Sequence, residues 1–279
     1  MKIATGQVGE SVFTDALFGR FRELIYDQLG IHFSDGKKYI VHLKIEKFLN
    51  KWRFSSYEAL YAELSKNRSG AYWEELHDEI TTHKTDFFRE INHFNFLRQK
   101  LDWVFSMNRR IDERGELRVW SAGCSTGEEA YTLAIVLSEI LPKHVSPKIL
   151  GTDISKEVLR KAMKGLYPNG IRAAVEGACL FTYFDRVGEC YQIKQSIRKY
   201  VTFRLFNLMD PLPLKKPFDI IFCRNVMIYF DTKTQEALLE KFYNALRVGG
   251  LLFVGHSESL SHRKHHFSFI QPTIYLKHN

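Results

Sequence analysis

The chain has 279 residues, 45% of them hydrophobic and 26% charged, with a formal net charge of +8. That length holds one large or two modest domains with proper cores, and the apolar fraction excludes a disordered chain. No stretch comes near the roughly 20 uninterrupted apolar residues of a membrane span, and the start, MKIATGQVGE, lacks a signal-peptide core, so a cytoplasmic protein without membrane insertion is expected.

In chain order, the first part reads as helices. Phe18, Phe21, Leu24, Ile25 and Leu29 recur at helical spacing, and Gly30 suits a stop. A second helix is predicted over about 37–51, with Ile40, Val41, Ile45, Phe48 and Leu49 as its apolar stripe. Ser55 and Glu58 form a capping-box pattern before Tyr57, Leu60, Tyr61 and Leu64. Trp73, Leu76 and Ile80 continue the helical period.

From about Gly115 the pattern changes. Strands are predicted at 117–120, 148–153, 218–223 and 251–255, with helices at 128–141, 156–163 and about 232–246 between them. A closing hairpin is predicted over 267–277, and a small strand-rich insertion at about 186–205. Strands alternating with helices imply a parallel sheet covered on both faces. The fold class expected is therefore α/β, preceded by an all-α N-terminal domain, with the boundary near residue 80.

Ligands of such sheets bind beyond the carboxyl ends of the strands, near the switch point. Four features fall there. Gly123-Cys124-Ser125-Thr126-Gly127 links the first strand to its helix, in G-x-x-x-G spacing rather than the dinucleotide GxGxxG. Glycines let backbone approach a ligand, but the same loop serves as a tight turn. Asp153 ends the second strand, where a carboxylate can accept the hydroxyls of a ribose or cap the following helix. Glu128 and Glu129 open a helix, which the dipole favours; one of them could instead hold a ligand ammonium. Ribose plus ammonium points away from NAD and toward S-adenosylmethionine. Cys223-Arg224-Asn225 ends the third predicted strand. Cys223 is read as a core thiol rather than a nucleophile. The four cysteines, Cys124, Cys179, Cys190 and Cys223, make no CxxC pair, and no metal is expected.

TTHKTDFFRE (81–90), VWSAGCSTGEEAYTLA (119–134), GTDISKEVL (151–159), FDIIFCRNVMIYFD (218–231) and VGGLLFVGHSESL (248–260) resemble the signature blocks of the CheR family, the chemotaxis-receptor glutamate methyltransferases. The resemblance runs in order over nearly the whole chain. It implies a helical N-terminal domain for receptor recognition at 1–80. It also implies a Rossmann-like methyltransferase domain at 81–279, with an inserted β-subdomain. By motif position, His83, Thr85, Arg89 and Gly123 would line the S-adenosylmethionine pocket, Glu129 would meet its amino-acid tail and Asp153 its ribose. Asn207 and Leu208 would lie near the adenine, Arg224 and Asn225 near the reacting end, and Arg89 and Tyr229 would act at the transfer itself. S-adenosylhomocysteine would be the product. Two positions depart from the family: His83 stands where Asn is usual, and Ala130 where Pro is common.

The resemblance also implies a basic face on the helix at 37–51 that contacts the cytoplasmic domain of methyl-accepting receptors. Lys37, Lys44, Lys47 and Lys51 fall on one side of the helical wheel, with Lys44, Lys47 and Lys51 as the docking candidates. A solvated charged face has the same pattern. The charge also suggests nucleic acid, but the loop after FDIIFC reads C-R-N-V. It carries neither the [N/D]-P-P-[Y/F] of amino-group nucleic-acid methyltransferases nor the Pro-Cys of cytosine C5 enzymes, so no nucleic-acid partner is expected. A non-catalytic S-adenosylmethionine sensor is the other rival reading.

Overall fold

Thr14 starts the first helix: its hydroxyl accepts the Leu17 amide at 3.2 Å, and α1 (Asp15–Leu29) then buries Leu17, Phe18, Phe21, Leu24, Ile25 and Leu29. The computed structural model describes residues 12–68, 70–107, 110–213 and 216–278. The chain divides into two units, 1–82 and 83–279.

In the first unit, α1 is followed by α2 (Lys38–Trp52), α3 (Tyr57–Lys66) and α4 (Ala71–Ile80). α2 buries Val41, Ile45, Phe48 and Leu49, as its period predicts, but Ile40 is exposed together with Tyr39 and Leu43. The cap of α3 is Ser56, whose hydroxyl accepts the Ala59 amide at 3.1 Å, and not Ser55. Of two adjacent serines, the one preceding the buried Tyr57 starts the helix. The Tyr57 hydroxyl meets His42 Nε2 at 2.9 Å.

The second unit begins with two helices that the sequence reading did not anticipate, α5 (Asn92–Met107) and α6 (Arg110–Arg114). Then come β1 (Glu116–Ala122), α7 (Glu128–Ile140), β2 (Ser146–Asp153) and α8 (Lys156–Lys164). Three short strands, β3 (Leu166–Pro168), β4 (Phe184–Val187) and β5 (Cys190–Ile193), flank α9 (Gly177–Tyr183) and precede α10 (Gln195–Arg198) and β6 (Val201–Leu205). The chain closes with β7 (Phe218–Cys223), α11 (Thr232–Ala245), β8 (Leu246–Val254), β9 (Ser268–Gln271) and β10 (Ile274–Leu276).

Among the described residues the main sheet has seven strands in the order β6-β2-β1-β7-β8-β10-β9. β6, β2, β1, β7 and β8 pair in parallel, and β10 pairs antiparallel with both β8 and β9. The chain moves outward from β1 to β2 and β6, then crosses back to β7. The switch point therefore lies between β1 and β7, with their carboxyl ends side by side.

The insertion is a separate antiparallel sheet, β3-β5-β4, spanning 166–193 rather than 186–205. Val201–Leu205, expected inside it, is the edge strand of the main sheet, paired with Ile149–Asp153. A short strand gives the same local pattern in either sheet; only its partner differs.

Each face of the main sheet carries its own core. On one, Phe222 stacks on Phe253 at 4.3 Å and faces Phe94 of α5 at 5.9 Å. On the other, Trp120 packs on Phe218 and Phe242, both at 5.4 Å. Side chains buried on both faces explain why these strands read as continuous apolar runs.

Candidate active site

The loop after β1 is shaped by its glycines. Gly123 has φ +81° and Gly127 φ +96°, values that residues with a Cβ rarely adopt. A Cβ on Gly127 would stand 2.9 Å from that of Ala162, and one on Gly123 would run into Val226, in the loop after β7. The amides of Gly123 and Cys124 donate to Thr152 O at 2.8 and 2.9 Å. The first strand's loop is thereby drawn toward both neighbouring strand ends.

Asp153, the last residue of β2, is buried, and its two oxygens accept the amides of Ser125 at 2.8 Å and Ser155 at 3.0 Å. Burial pushes its carboxyl up, and the Ser155 and Ser125 amides, with charge on His83, oppose the shift. Ser155, not Asp153, caps α8, accepting the Val158 amide at 3.2 Å. Of the two readings of Asp153, the cap is taken by its neighbour. An ionised carboxylate accepts about four hydrogen bonds, which leaves room for a diol.

Arg224 is the hub of the site. Nearly buried at the end of β7, its Nε donates to Glu129 Oε2 at 2.7 Å. Its Nη1 donates to Arg89 O at 2.8 Å, Glu90 Oε2 at 3.2 Å and His93 Nδ1 at 3.1 Å. The Ser121 hydroxyl donates to the other oxygen of Glu129 at 2.6 Å. A guanidinium can only donate, so His93 Nδ1 accepts, and the imidazole carries its proton on Nε2. Nε2 donates in turn to Thr273 Oγ1 at 2.7 Å. Burial, with Arg224 beside it, lowers His93 to about 3 and keeps it neutral. Burial raises Glu90, but Arg224, Asn225 and His256 outweigh it and hold the carboxyl below its usual value. One cation and two carboxylates thus form a buried cluster with a net charge of minus one, a setting that suits a ligand cation.

Glu90, His93 and His256 bring three ligand-type atoms together. However, Nη1 of Arg224 already occupies the space between Glu90 and His93. A fixed guanidinium repels a metal ion from that spot.

The expected site residues distribute as follows. His83, Thr85 and Arg89 lie on the half-buried approach to α5. The Ser125 hydroxyl donates to the backbone carbonyl of His83 at 2.8 Å, whatever side chain stands there. Arg89 donates to Lys84 O and to Asn225 Oδ1, each at 2.9 Å. Phe88 and Glu90, on either side of it, have φ of +55° and +57°, and the Phe88 amide donates to Thr132 Oγ1 at 3.2 Å. Asn207 accepts the Met209 amide at 3.0 Å, and Leu208 packs in the core with Trp120 and Ala122. Tyr229 ends a single 3-10 turn, Met227–Tyr229, after β7.

Cys223 is fully buried, and burial raises its thiol well above the ordinary value. It is a core residue.

Lys44, Lys47 and Lys51 belong to the first unit, where each meets α4. Lys44 Nζ donates to the carbonyls of Glu79 at 2.5 Å and Ile80 at 3.0 Å. Lys47 pairs with the Glu79 carboxylate at 2.8 Å, and Lys51 pairs with Glu75. The lysine face expected to dock a receptor is therefore the seam between two helices at Lys44, and is exposed at Lys47 and Lys51.

Glu90, His93, Thr273 and Glu258 were missed as site residues by sequence reasoning. The signal available was position: Glu90 adjoins Arg89, and Glu258 lies in the GHSESL block.

Comparisons with known proteins show the family of the chain. The model of the CheR methyltransferase SAM-binding domain matches residues 83–276, and that of the CheR methyltransferase all-alpha domain matches residues 16–81. The chemotaxis protein methyltransferase of Borreliella burgdorferi is 37% identical over 92% of this chain and 93% of its own length. That of Salmonella typhimurium is 37% identical over 94% and 90%, and that of Escherichia coli 36% identical over 94% and 91%.

Proposed function

The chain belongs to the CheR methyltransferase family, and from that premise we propose that it esterifies glutamate side chains on the cytoplasmic domains of methyl-accepting chemotaxis receptors. The methyl donor is S-adenosylmethionine. The observation that carries this reading is the buried Glu129–Arg224–Glu90 cluster, one positive charge short of neutrality, linked through Asn225 to Arg89.

Glu129 suits an ammonium, and Asp153 suits a ribose. When bound, S-adenosylmethionine supplies a methyl group made electrophilic by its sulfonium. A substrate glutamate, with an ordinary value near 4.3, is ionised at neutral pH, so no general base is required. The protein's task is to align the carboxylate and exclude water; orientation of this kind contributes roughly 7–11 kcal/mol. Two donors of Arg89 are held by Lys84 O and Asn225 Oδ1. A guanidinium has five donors, so a fixed Arg89 can still orient a carboxylate, and Tyr229, in the turn after β7, is proposed to face that carboxylate as well. The carboxylate loses its charge as it is alkylated. A site that bound the separated ions too tightly would slow transfer, so Arg89 positions rather than activates.

Receptor recognition belongs to the helical unit, with the exposed Lys47 and Lys51 of α2 as its charged contacts, and the reaction belongs in the cytoplasm. The test is incubation with S-adenosylmethionine and receptor cytoplasmic fragments. The expected product is a receptor peptide heavier by one methylene per modified glutamate, with the gain reversed by mild base. A base-stable product, or none on any receptor fragment, overturns the assignment.

A further inference from the structure

Glu258 is a buried carboxylate whose partners are all backbone amides. Oε2 accepts from Asn225 N and Gly255 N, both at 2.7 Å. Oε1 accepts from Val226 N at 2.9 Å and Ile228 N at 3.2 Å. Burial raises the carboxyl, and the four amides oppose the shift. Three of these amides belong to the loop after β7, and the fourth to the loop after β8.

The loop after β7 needs such a clamp. Asn225 has φ +60°, in the left-handed region that most side chains avoid. Its side chain holds the turn before α5: Oδ1 accepts from Arg89 at 2.9 Å, and Nδ2 donates to Glu90 Oε1 at 3.2 Å. The same loop continues into the turn that carries Tyr229. Gly255 is cut to fit the clamp, since a Cβ there would lie 2.6 Å from Glu258 Oε2 and 2.9 Å from Asn225 N.

We propose that Glu258 is a positioning residue for methyl transfer: by gathering the amides of Asn225, Val226 and Ile228 it sets Asn225, and through it Arg89, together with Tyr229, against the substrate carboxylate. The role rests on the transfer reading above, but its physical basis can be measured separately. The cofactor contacts expected of Asp153, at the end of β2, and of Glu129, in the first turn of α7, lie outside the clamped loop. Asn225 and Arg89 are expected at the reacting end, where S-adenosylhomocysteine has no methyl group, so its affinity should be spared.

In Glu258→Gln, one oxygen becomes an NH2 group that faces amide donors and leaves them unsatisfied. The full chain is expected to show hydrogen exchange at Asn225, Val226 and Ile228 faster by about tenfold or more, with β1 and β2 unchanged. Turnover on receptor fragments should fall by about tenfold or more, while S-adenosylhomocysteine affinity stays within about threefold. Gly255→Ala keeps the carboxylate but displaces it, and should give the same split. Unchanged exchange at 225–228 in folded Glu258→Gln overturns the proposal, as does turnover within about twofold of wild type. If Glu258→Gln does not fold, Gly255→Ala with wild-type exchange and turnover overturns it instead. A wild-type chain inert toward every receptor fragment sinks the substrate assignment alone. Glu258 is then judged on exchange, where unchanged protection counts against it.

Discussion

His93 connects the rim of the sheet to the site: it receives a hydrogen bond from Arg224 and gives one to Thr273 in the turn between β9 and β10. Because it is held neutral down to about 3, it links stability to acid. The unfolded chain takes up this proton near the ordinary value of 6.5, whereas the folded chain refuses it until about 3. Between those values the unfolded state binds more protons, so stability falls as pH falls, by up to about 1.4 kcal/mol per pH unit from this group. His93→Gln should flatten the slope of unfolding free energy against pH between 6 and 4 by up to that amount. Urea titrations at several pH values measure it, and the carboxylates common to both proteins cancel in the difference. An unchanged slope would mean that His93 is protonated in the folded protein.

Asp153 makes a sharper residue-scale prediction. Asp153→Ala removes the proposed ribose acceptor and frees the amides of Ser125 and Ser155. S-adenosylhomocysteine affinity should drop by about tenfold or more, since an unpaired polar group costs on the order of 1–3 kcal/mol. Calorimetry showing unchanged affinity would remove Asp153 from the site.

At the scale of elements, α2 separates stability from the proposed recognition. Lys44 is half-buried and holds the last carbonyls of α4, where a cation also suits the helix dipole. Lys44→Ala should cost about 1 kcal/mol, read from the urea midpoint. Lys47 and Lys51 pair with Glu79 and Glu75 but remain exposed. Their joint replacement by Ala should change stability by less than about 0.5 kcal/mol, yet raise KM for receptor fragments at low salt. A double variant with wild-type KM places docking elsewhere. Tyr39, Ile40 and Leu43, exposed on the same helix, would then be the next residues to change.

At the scale of the molecule, the net charge of +8 is unevenly divided. Residues 1–80 hold 11 Lys and Arg against 12 Asp and Glu, so the whole excess lies beyond them. Exposed charges are screened over about 8–10 Å at ordinary ionic strength. Receptor methylation should therefore slow as salt is raised from low ionic strength, while S-adenosylhomocysteine affinity, which we propose is set by the buried groups at Glu129 and Asp153, should hold nearly constant. A parallel loss of both would mean that the cofactor site itself depends on surface charge. No helix among the described residues is long and apolar enough to cross a membrane.

The sequence by itself determined the helical first part, the parallel strands, the glycine loop and the acid ending β2. Each is a local pattern: a hydrophobic period, a run buried on both faces, a turn that requires left-handed backbone. It also named Arg89, Glu129, Asp153, Arg224 and Asn225 through motif position. Only the tertiary structure decided which of these meet. The bond from Arg224 to Glu129 spans 95 positions, that to His93 131, and that from His93 to Thr273 180. No periodicity records such pairings, because they arise from strand order. The same reason misplaced the insertion. Val201–Leu205 has the alternation of any short strand, and only its pairing with β2 makes it the edge of the main sheet. Lys44 likewise falls on a charged helical face in the sequence, and only the nearby end of α4 turns it into a cap.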